Sequence, residues 1–245
     1  MDDTSYLAHL ESDYRRLAEV ASGRLDAPVP TCPDWTVRDL VSHVAHVYLH
    51  KVANMTQMRD PEPWPPDFGD VAPLDLLDRG YRELRAEFDA RPPDSGAHTW
   101  YKPDQTVRFW YRRMAQETVI HRVDAERAAC VELAPIDADL AADGIDEVLR
   151  IFLGWGSTEY ADYMKDLLGE ADGRSIAIRA GSDQYVLTPS TAGVRVSDSG
   201  EAHATITGEP VDMLLWLWNR GGTVEQAGDP ELLHYFHRLM VDATQ

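Results

Sequence analysis

Apolar side chains recur every three or four positions through the first two thirds of the chain. Over residues 4–22 they form one stripe, in which Tyr6, Leu10 and Leu17 share a face. This spacing is typical of an amphipathic helix. Further helices are predicted over about 36–58, 73–90, 104–130 and 137–153, the last of which could continue to about 168. Helices joined by proline- or glycine-containing connections indicate an antiparallel bundle.

Near residue 170 the pattern changes from helical spacing to alternation. Short β-branched segments that alternate between apolar and polar residues lie at 175–180, 184–189, 193–198 and 203–208. Two apolar helices follow, over 211–220 and 229–240, and the turn between them could hold a further strand. Strands followed by helices indicate a small α+β domain. We therefore expect a two-domain α+β protein, with a helical bundle over 1–168 and a second domain over 169–245.

The charge balance excludes some classes of partner. The chain carries 23 Lys+Arg against 42 Asp+Glu, a formal net charge of −19. This acidity opposes binding to phosphate backbones and anionic lipid, so we expect no nucleic acid and no membrane as a partner. No apolar run approaches the roughly 20 residues that span a bilayer, and the N-terminus lacks a signal-peptide pattern. Two distant cysteines, Cys32 and Cys130, suit a reducing compartment, so the expected location is the cytoplasm.

The helix predicted over 104–130 contains candidate metal-binding residues. Its bundle-facing seam includes Glu117, His121 and Asp124, where the apolar pattern calls for hydrophobic residues. An isolated charge there costs several kcal/mol, roughly, unless it is paired or bound to a metal. Glu117 and His121 are four residues apart, so both can reach one metal ion, and Asp124 could orient the His121 ring. The alternative is a pair of structural ion pairs, Glu117 with Arg113 and His121 with Asp124.

A metal site needs a third ligand from another helix. The helix predicted over 36–58 offers His43, His46 and His50. Its apolar periodicity does not choose among these three histidines.

Two motifs resemble a known family. TCPDWTVRDLVSHVAHV over 31–47 and RMAQETVIHRVDAERAA over 113–129 are similar to the mycothiol-dependent maleylpyruvate isomerases, within the DinB-like metalloproteins. The C-terminal strands and AGDPELLHYFHRLM over 227–240 resemble that family's small second domain, which is related in shape to sterol-carrier domains. The resemblance implies a DinB-like bundle followed by a sterol-carrier-like α+β domain.

The same resemblance implies a metal triad of His43, Glu117 and His121. Two histidines and one carboxylate leave a fourth position open on zinc, which is the expected metal, although other divalent ions accept these ligands. In the family the open position takes the thiol of mycothiol, and a thiol bound to a metal loses its proton near neutral pH. The thiolate would attack a small electrophile, giving cis–trans isomerisation or S-transfer. The expected partners are therefore this thiol and an electrophile.

Weaker candidates are arginines and two residues of the first motif. Arg108, Arg112 and Arg113 could hold a carboxylate of the substrate, or could form surface ion pairs. The resemblance makes Arg220 the candidate for an arginine that matters for function in the family's second domain, but Arg220 could also complement a helix C-terminus. We expect Trp35 to pack in the core rather than to serve as a platform for a ligand, and Cys32 to be structural rather than a catalytic thiol.

Two other functions compete with the thiol-dependent enzyme. The same metal site could activate water and act as a hydrolase or lyase. The chain could also be a non-catalytic ligand-binding protein, which the carrier-like second domain would suit.

Overall fold

The computed structural model describes residues 1–244, which divide into two units. The first unit is Met1–Pro135 and the second begins at Ile136. The sequence predicted this division between 168 and 169, so the structure moves the helices over 138–168 into the second unit. The physical reason is packing, because these helices bury their apolar faces against a helix and a strand of the second unit. Helical periodicity shows that a face is buried but not which partner buries it.

Four helices form the first unit. They are α1 (Asp3–Ala21), α2 (Val37–Gln57), α3 (Pro73–Ala90) and α4 (Val107–Ala128). Helix α1 packs on α4, and α2 packs on both α3 and α4. Thr36 and Asp39 form a capping box at the start of α2, since the Thr36 side chain accepts from the Asp39 backbone N–H and Asp39 accepts from that of Thr36. This box fixes where α2 begins.

Helix α4 is the central element of the first unit and buries charged side chains. Arg122 and Glu126 are fully buried and joined by a 2.7 Å ion pair. Arg122 also pairs with Asp13 at 3.0 Å, and Glu126 pairs with Arg16 at 2.8 Å. Arg122 donates to the carbonyl of Ala134, and the Ala134 N–H donates to Glu126. This network ties α1 and the end of the first unit to α4.

The second unit combines helices with a sheet. Its helical part comprises α5 (Ala138–Asp146), a π-helical segment (Glu147–Trp155), α6 (Gly156–Glu159) and α7 (Ala161–Leu168). The strands are β1 (Ile176–Ala180), β2 (Asp183–Ser190), β3 (Gly193–Ser197), β4 (Ala204–Gly208) and β5 (Glu225–Gly228). Helix α8 (Pro210–Leu217) precedes β5 and α9 (Pro230–Ala243) follows it.

The sheet contains all four predicted strands and the suspected fifth. Its order is β3-β2-β1-β4-β5, and every neighbouring pair is antiparallel except β1 with β4. Ile178 on the central strand β1 stands opposite Tyr185 of β2 and Ile206 of β4, and all three are buried. Helix α5 packs on α8, and the π-helical segment packs on β3. Among residues 1–244, no helix is both long and apolar enough to cross a membrane.

Candidate metal centre

Three predicted ligands meet between α2 and α4. His43 Nε2 and His121 Nε2 each lie 3.2 Å from the same oxygen, Oε1 of Glu117. One donor atom from each residue lies within 4.8 Å of the other two. The His43 side chain is 38% exposed, whereas those of Glu117 and His121 are 13% and 11% exposed. The three side chains could therefore hold one ion that is reachable from outside the bundle.

Local structure explains the convergence. Glu117 and His121 are one helical turn apart on α4, which places both side chains on one face. His43 lies seven residues after Thr36, the residue that caps α2, and α2 packs against α4. The geometry of α4 brings together two candidate metal ligands, Glu117 and His121, and the packing of α2 on α4 adds the third, His43.

The other two histidines of α2 contact a loop instead. His46 stacks on Phe68, with ring centroids 5.2 Å apart, and His50 meets the Trp64 ring edge-on at 4.9 Å. Both aromatic residues belong to the proline-rich connection between α2 and α3. Neither His46 nor His50 belongs to the group of three.

Glu117 is held as a carboxylate. Its Oε2 forms an ion pair with Arg113, one turn earlier on α4, while Oε1 faces the two histidines. Burial alone would raise the pKa of Glu117, but the charges of His121 and Arg113 lower it well below the usual range. The two ion pairs predicted as an alternative to a metal, Glu117 with Arg113 and His121 with Asp124, are both present. They leave Glu117 Oε1 directed at the imidazoles of His43 and His121.

Asp124 contacts the nitrogen of His121 that does not face Glu117. It is fully buried, and its Oδ2 lies 3.0 Å from Nδ1 of His121. Because a carboxylate only accepts, Nδ1 is the protonated nitrogen and Nε2 points toward Glu117. Burial opposes protonation of His121, but Glu117 and Asp124 outweigh it and raise the pKa of this imidazole to about 9.

The donor set fits a divalent metal. When His121 is neutral and its proton is on Nδ1, Nε2 carries a lone pair. This lone pair faces the lone pairs of Glu117 Oε1 at 3.2 Å. Such an arrangement needs a positive charge between the two atoms, which a proton or a metal ion supplies. Two imidazole nitrogens and one carboxylate oxygen are the ligands of zinc sites that keep a position open.

The loop before α2 contributes two residues whose contacts with the site the sequence did not predict. Thr31 Oγ1 donates to Oδ1 of Asp124 at 2.6 Å. The Trp35 ring lies 4.9 Å from the His43 ring and 6.3 Å from the His121 ring, between centroids. Trp35 is half-buried and packs on two candidate ligands, so the expectation that it packs in the core is wrong. The signal was available, since both residues lie in the TCPDWT motif.

The candidate arginines are dispersed. Arg108 is exposed and pairs with Asp3 and Asp94, away from the triad. Arg112 is half-buried, and Arg113 is committed to Glu117. In the second unit, Arg220 is buried and its Nη1 donates to the carbonyl of Trp218 at 2.7 Å. Arg113 is the candidate whose ion pair with the group of three is seen directly.

Cys32 and Cys130 form no disulfide within the part of the chain that the structure describes. Cys32 is half-buried and Cys130 is exposed.

Sequence comparison places this site in a family. The sequence model described as the mycothiol maleylpyruvate isomerase N-terminal domain matches residues 7–126, and the C-terminal domain model of the same family matches residues 139–234. The chain belongs to the mycothiol maleylpyruvate isomerase family. The resemblance predicted from the two motifs is confirmed. No curated protein matches the chain.

A solved structure of the family has the same fold. The crystal structure of the mycothiol-dependent maleylpyruvate isomerase matches with a TM-score of 0.63 at 12% identity, over 94% of this chain and 95% of that chain. A mutant of that enzyme gives the same values. At this identity the likeness shows the fold. The predicted class, a helical N-terminal domain with a small α+β C-terminal domain, is confirmed.

Proposed function

We propose that this chain is a metal-dependent and mycothiol-dependent enzyme of the isomerase or S-transferase type, which acts on a small electrophile. The observation that carries the proposal is the meeting of His43, Glu117 and His121 at one point, in a chain of this family. The lack of a disulfide between Cys32 and Cys130, among residues 1–244, suits a cytoplasmic enzyme that works with a low-molecular-weight thiol.

His43, Glu117 and His121 would hold the metal, which we expect to be zinc. A bound divalent ion supplies positive charge that lowers the pKa of a thiol, so that the reactive thiolate is present near neutral pH.

The surrounding residues keep this donor set in place. Arg113 holds the second oxygen of Glu117, so that Oε1 faces the histidines. Asp124 keeps the proton of His121 on Nδ1 and thereby leaves Nε2 available as the metal ligand. Trp35 packs on the rings of His43 and His121 and limits their rotation. We assign Asp124 a positioning role, since His121 lies between it and the site.

The same thiolate could give either of two reactions, cis–trans isomerisation or S-transfer. In isomerisation, the sulfur would add to one carbon of a double bond conjugated to a carbonyl group, so that a C–S bond forms, the double bond becomes single and its electron pair moves to the carbonyl oxygen. Rotation about that single bond, return of the electron pair and breaking of the C–S bond would then give the trans isomer and release the same thiolate. Displacement of a leaving group by the sulfur gives S-transfer instead, and then the thiol is consumed.

Arg220 is our candidate for the arginine that matters in the family's second domain. We expect Arg220→Met to lower kcat/KM while the metal content stays at the wild-type value. A loss of metal in this variant would contradict the assignment.

Metal content is the first test of the proposed function. Protein purified without a metal-affinity tag is analysed by mass spectrometry for the wild type, His121→Ala and His46→Ala. We expect about one metal ion per chain in the wild type and His46→Ala, and loss of the ion in His121→Ala. A wild type that holds no metal and takes up no added zinc would refute the proposal.

Dependence on the thiol is the second test. Metal-loaded enzyme is assayed on conjugated cis electrophiles with mycothiol and without any thiol. Turnover that requires mycothiol supports the proposal, whereas equal turnover without a thiol would favour a site that activates water.

A further inference from the structure

One cation near the triad has no acidic partner. The chain contains three lysines, Lys51, Lys102 and Lys165, and only Lys51 lies on α2. Its ammonium contacts His50 Nδ1 at 3.2 Å and lies 4.9 Å from the centre of the Trp110 ring. Among residues 1–244, no carboxylate forms an ion pair with it. This is unusual in a chain with 42 Asp+Glu.

The surroundings of Lys51 favour an anion. Trp110 is 1% exposed, and its ring covers one side of the ammonium. His50 accepts from Lys51 and adds no negative charge. Burial lowers the pKa of Lys51 to about 8; Glu117 and Asp60 oppose this shift without forming an ion pair with Lys51, and Arg113 reinforces it. A half-buried cation without a counter-ion is costly, and a bound anion would relieve that cost.

Lys51 faces the stripe of α4 that carries Glu117. Trp110, Arg113 and Glu117 are spaced three and four residues apart, so their side chains share one face of α4. Trp110 precedes Glu117 by seven residues, which corresponds to about 10 Å along the helix axis. Lys51 therefore lies about two helical turns from the triad, along the same α2–α4 interface.

Two of the three arginines that the sequence offered for this role have acidic partners. Arg113 pairs with Glu117, and Arg108 pairs with Asp3 and Asp94. Of Lys51, Arg108 and Arg113, only Lys51 has no ion pair to a carboxylate within residues 1–244.

We propose that the Lys51 ammonium binds a carboxylate of the electrophile and so selects acidic substrates over neutral ones. This inference rests on the proposed function, because it assigns an electrophile to the site beside the triad. An electrophile that extends from the triad along α2 and α4 would place its carboxylate on Lys51, with the Trp110 ring beneath the ammonium.

Maleate and maleamide test the inference. They have the same cis-alkene skeleton, but maleate carries two carboxylates and maleamide is neutral. Each is titrated by calorimetry into full-length, zinc-treated wild type, Lys51→Met, Lys51→Gln, Lys51→Arg and the exposed-lysine control Lys165→Met. Lys51→Gln replaces Lys51→Met if the latter does not fold, and metal content is measured on the same samples.

We expect the dissociation constant of maleate to rise about tenfold or more in Lys51→Met and Lys51→Gln, as for a lost hydrogen bond to a charged group. Lys51→Arg, which keeps the charge, should stay within about threefold of wild type, and Lys165→Met should not differ from it. Maleamide should bind all five proteins equally.

Equal maleate binding by wild type and Lys51→Met would overturn the inference, and so would a wild type that does not prefer maleate to maleamide. Absence of zinc from the wild type would count against the proposed function, while the maleate dissociation constants would still decide the role of Lys51.

Discussion

Thr31 and Asp124 are joined by a 2.6 Å hydrogen bond across 93 residues of sequence. The bond links the loop before α2 to the carboxylate that holds His121 on α4. The same loop places Trp35 against the rings of His43 and His121. One short segment thus contacts two candidate ligands directly and orients one of them through Asp124.

Thr31→Val should weaken metal binding. Valine keeps the shape of threonine but removes the donor to Asp124, so the orientation of His121 is less restricted. We expect the metal dissociation constant to rise about tenfold, as is typical when an outer partner of a metal ligand is lost. Chelator competition measures it. Thr31→Ser, which retains the hydroxyl, should bind metal as the wild type does, and an unchanged constant in Thr31→Val would refute this role.

Metal affinity should rise with pH up to about 9. The pKa of His121 in the metal-free protein is raised to about 9, so its imidazole carries a second proton at neutral pH. A metal ion must displace that proton, so affinity should increase by up to about tenfold per pH unit below the pKa and level off above it. Zinc titrations in weakly buffered solution at pH 7 should also release a proton. No proton release would contradict the assigned pKa.

Glu126→Gln should destabilise the protein by about 3 kcal/mol. Glu126 is fully buried and pairs with both Arg122 and Arg16, so removing its charge leaves Arg122 buried with less compensation. Urea unfolding measures the loss. The control is Glu19→Gln, because Glu19 pairs with the same Arg16 but its side chain is 70% exposed. That control should change the free energy of unfolding by less than about 0.5 kcal/mol.

Lys51→Met should stabilise the protein while it removes the proposed carboxylate site. The pKa of Lys51 is lowered to about 8 from 10.5, so the folded state disfavours the charged form. The penalty is complete below pH 8 and disappears as pH rises through 10.5. Allowing for partial exposure, we expect Lys51→Met to gain about 1 kcal/mol at pH 7. Urea unfolding of both proteins at pH 7 and pH 11 should show this gain shrinking at high pH. A loss of stability at pH 7 would indicate a structural lysine.

Much of the fold follows from local sequence. Helices α1 to α4 and strands β1 to β4 lie where apolar spacing predicts them, because the periods of helix and strand are properties of the backbone. The meeting of Glu117 and His121 also follows from the sequence, since four residues make about one helical turn. The capping box at Thr36 is equally local.

Long-range packing determines the third ligand, the boundary between the units and the contacts around the site. Periodicity left His43, His46 and His50 open, because the rotation of α2 against α4 determines which side chain meets Glu117. The boundary at 135/136 depends on α5 burying its apolar face on α8. Thr31, Trp35 and Lys51 acquire their contacts from residues far away in the chain. Sequence alone fixed the elements and the donor types, whereas tertiary structure chose their partners, because contacts between distant segments depend on how whole faces pack.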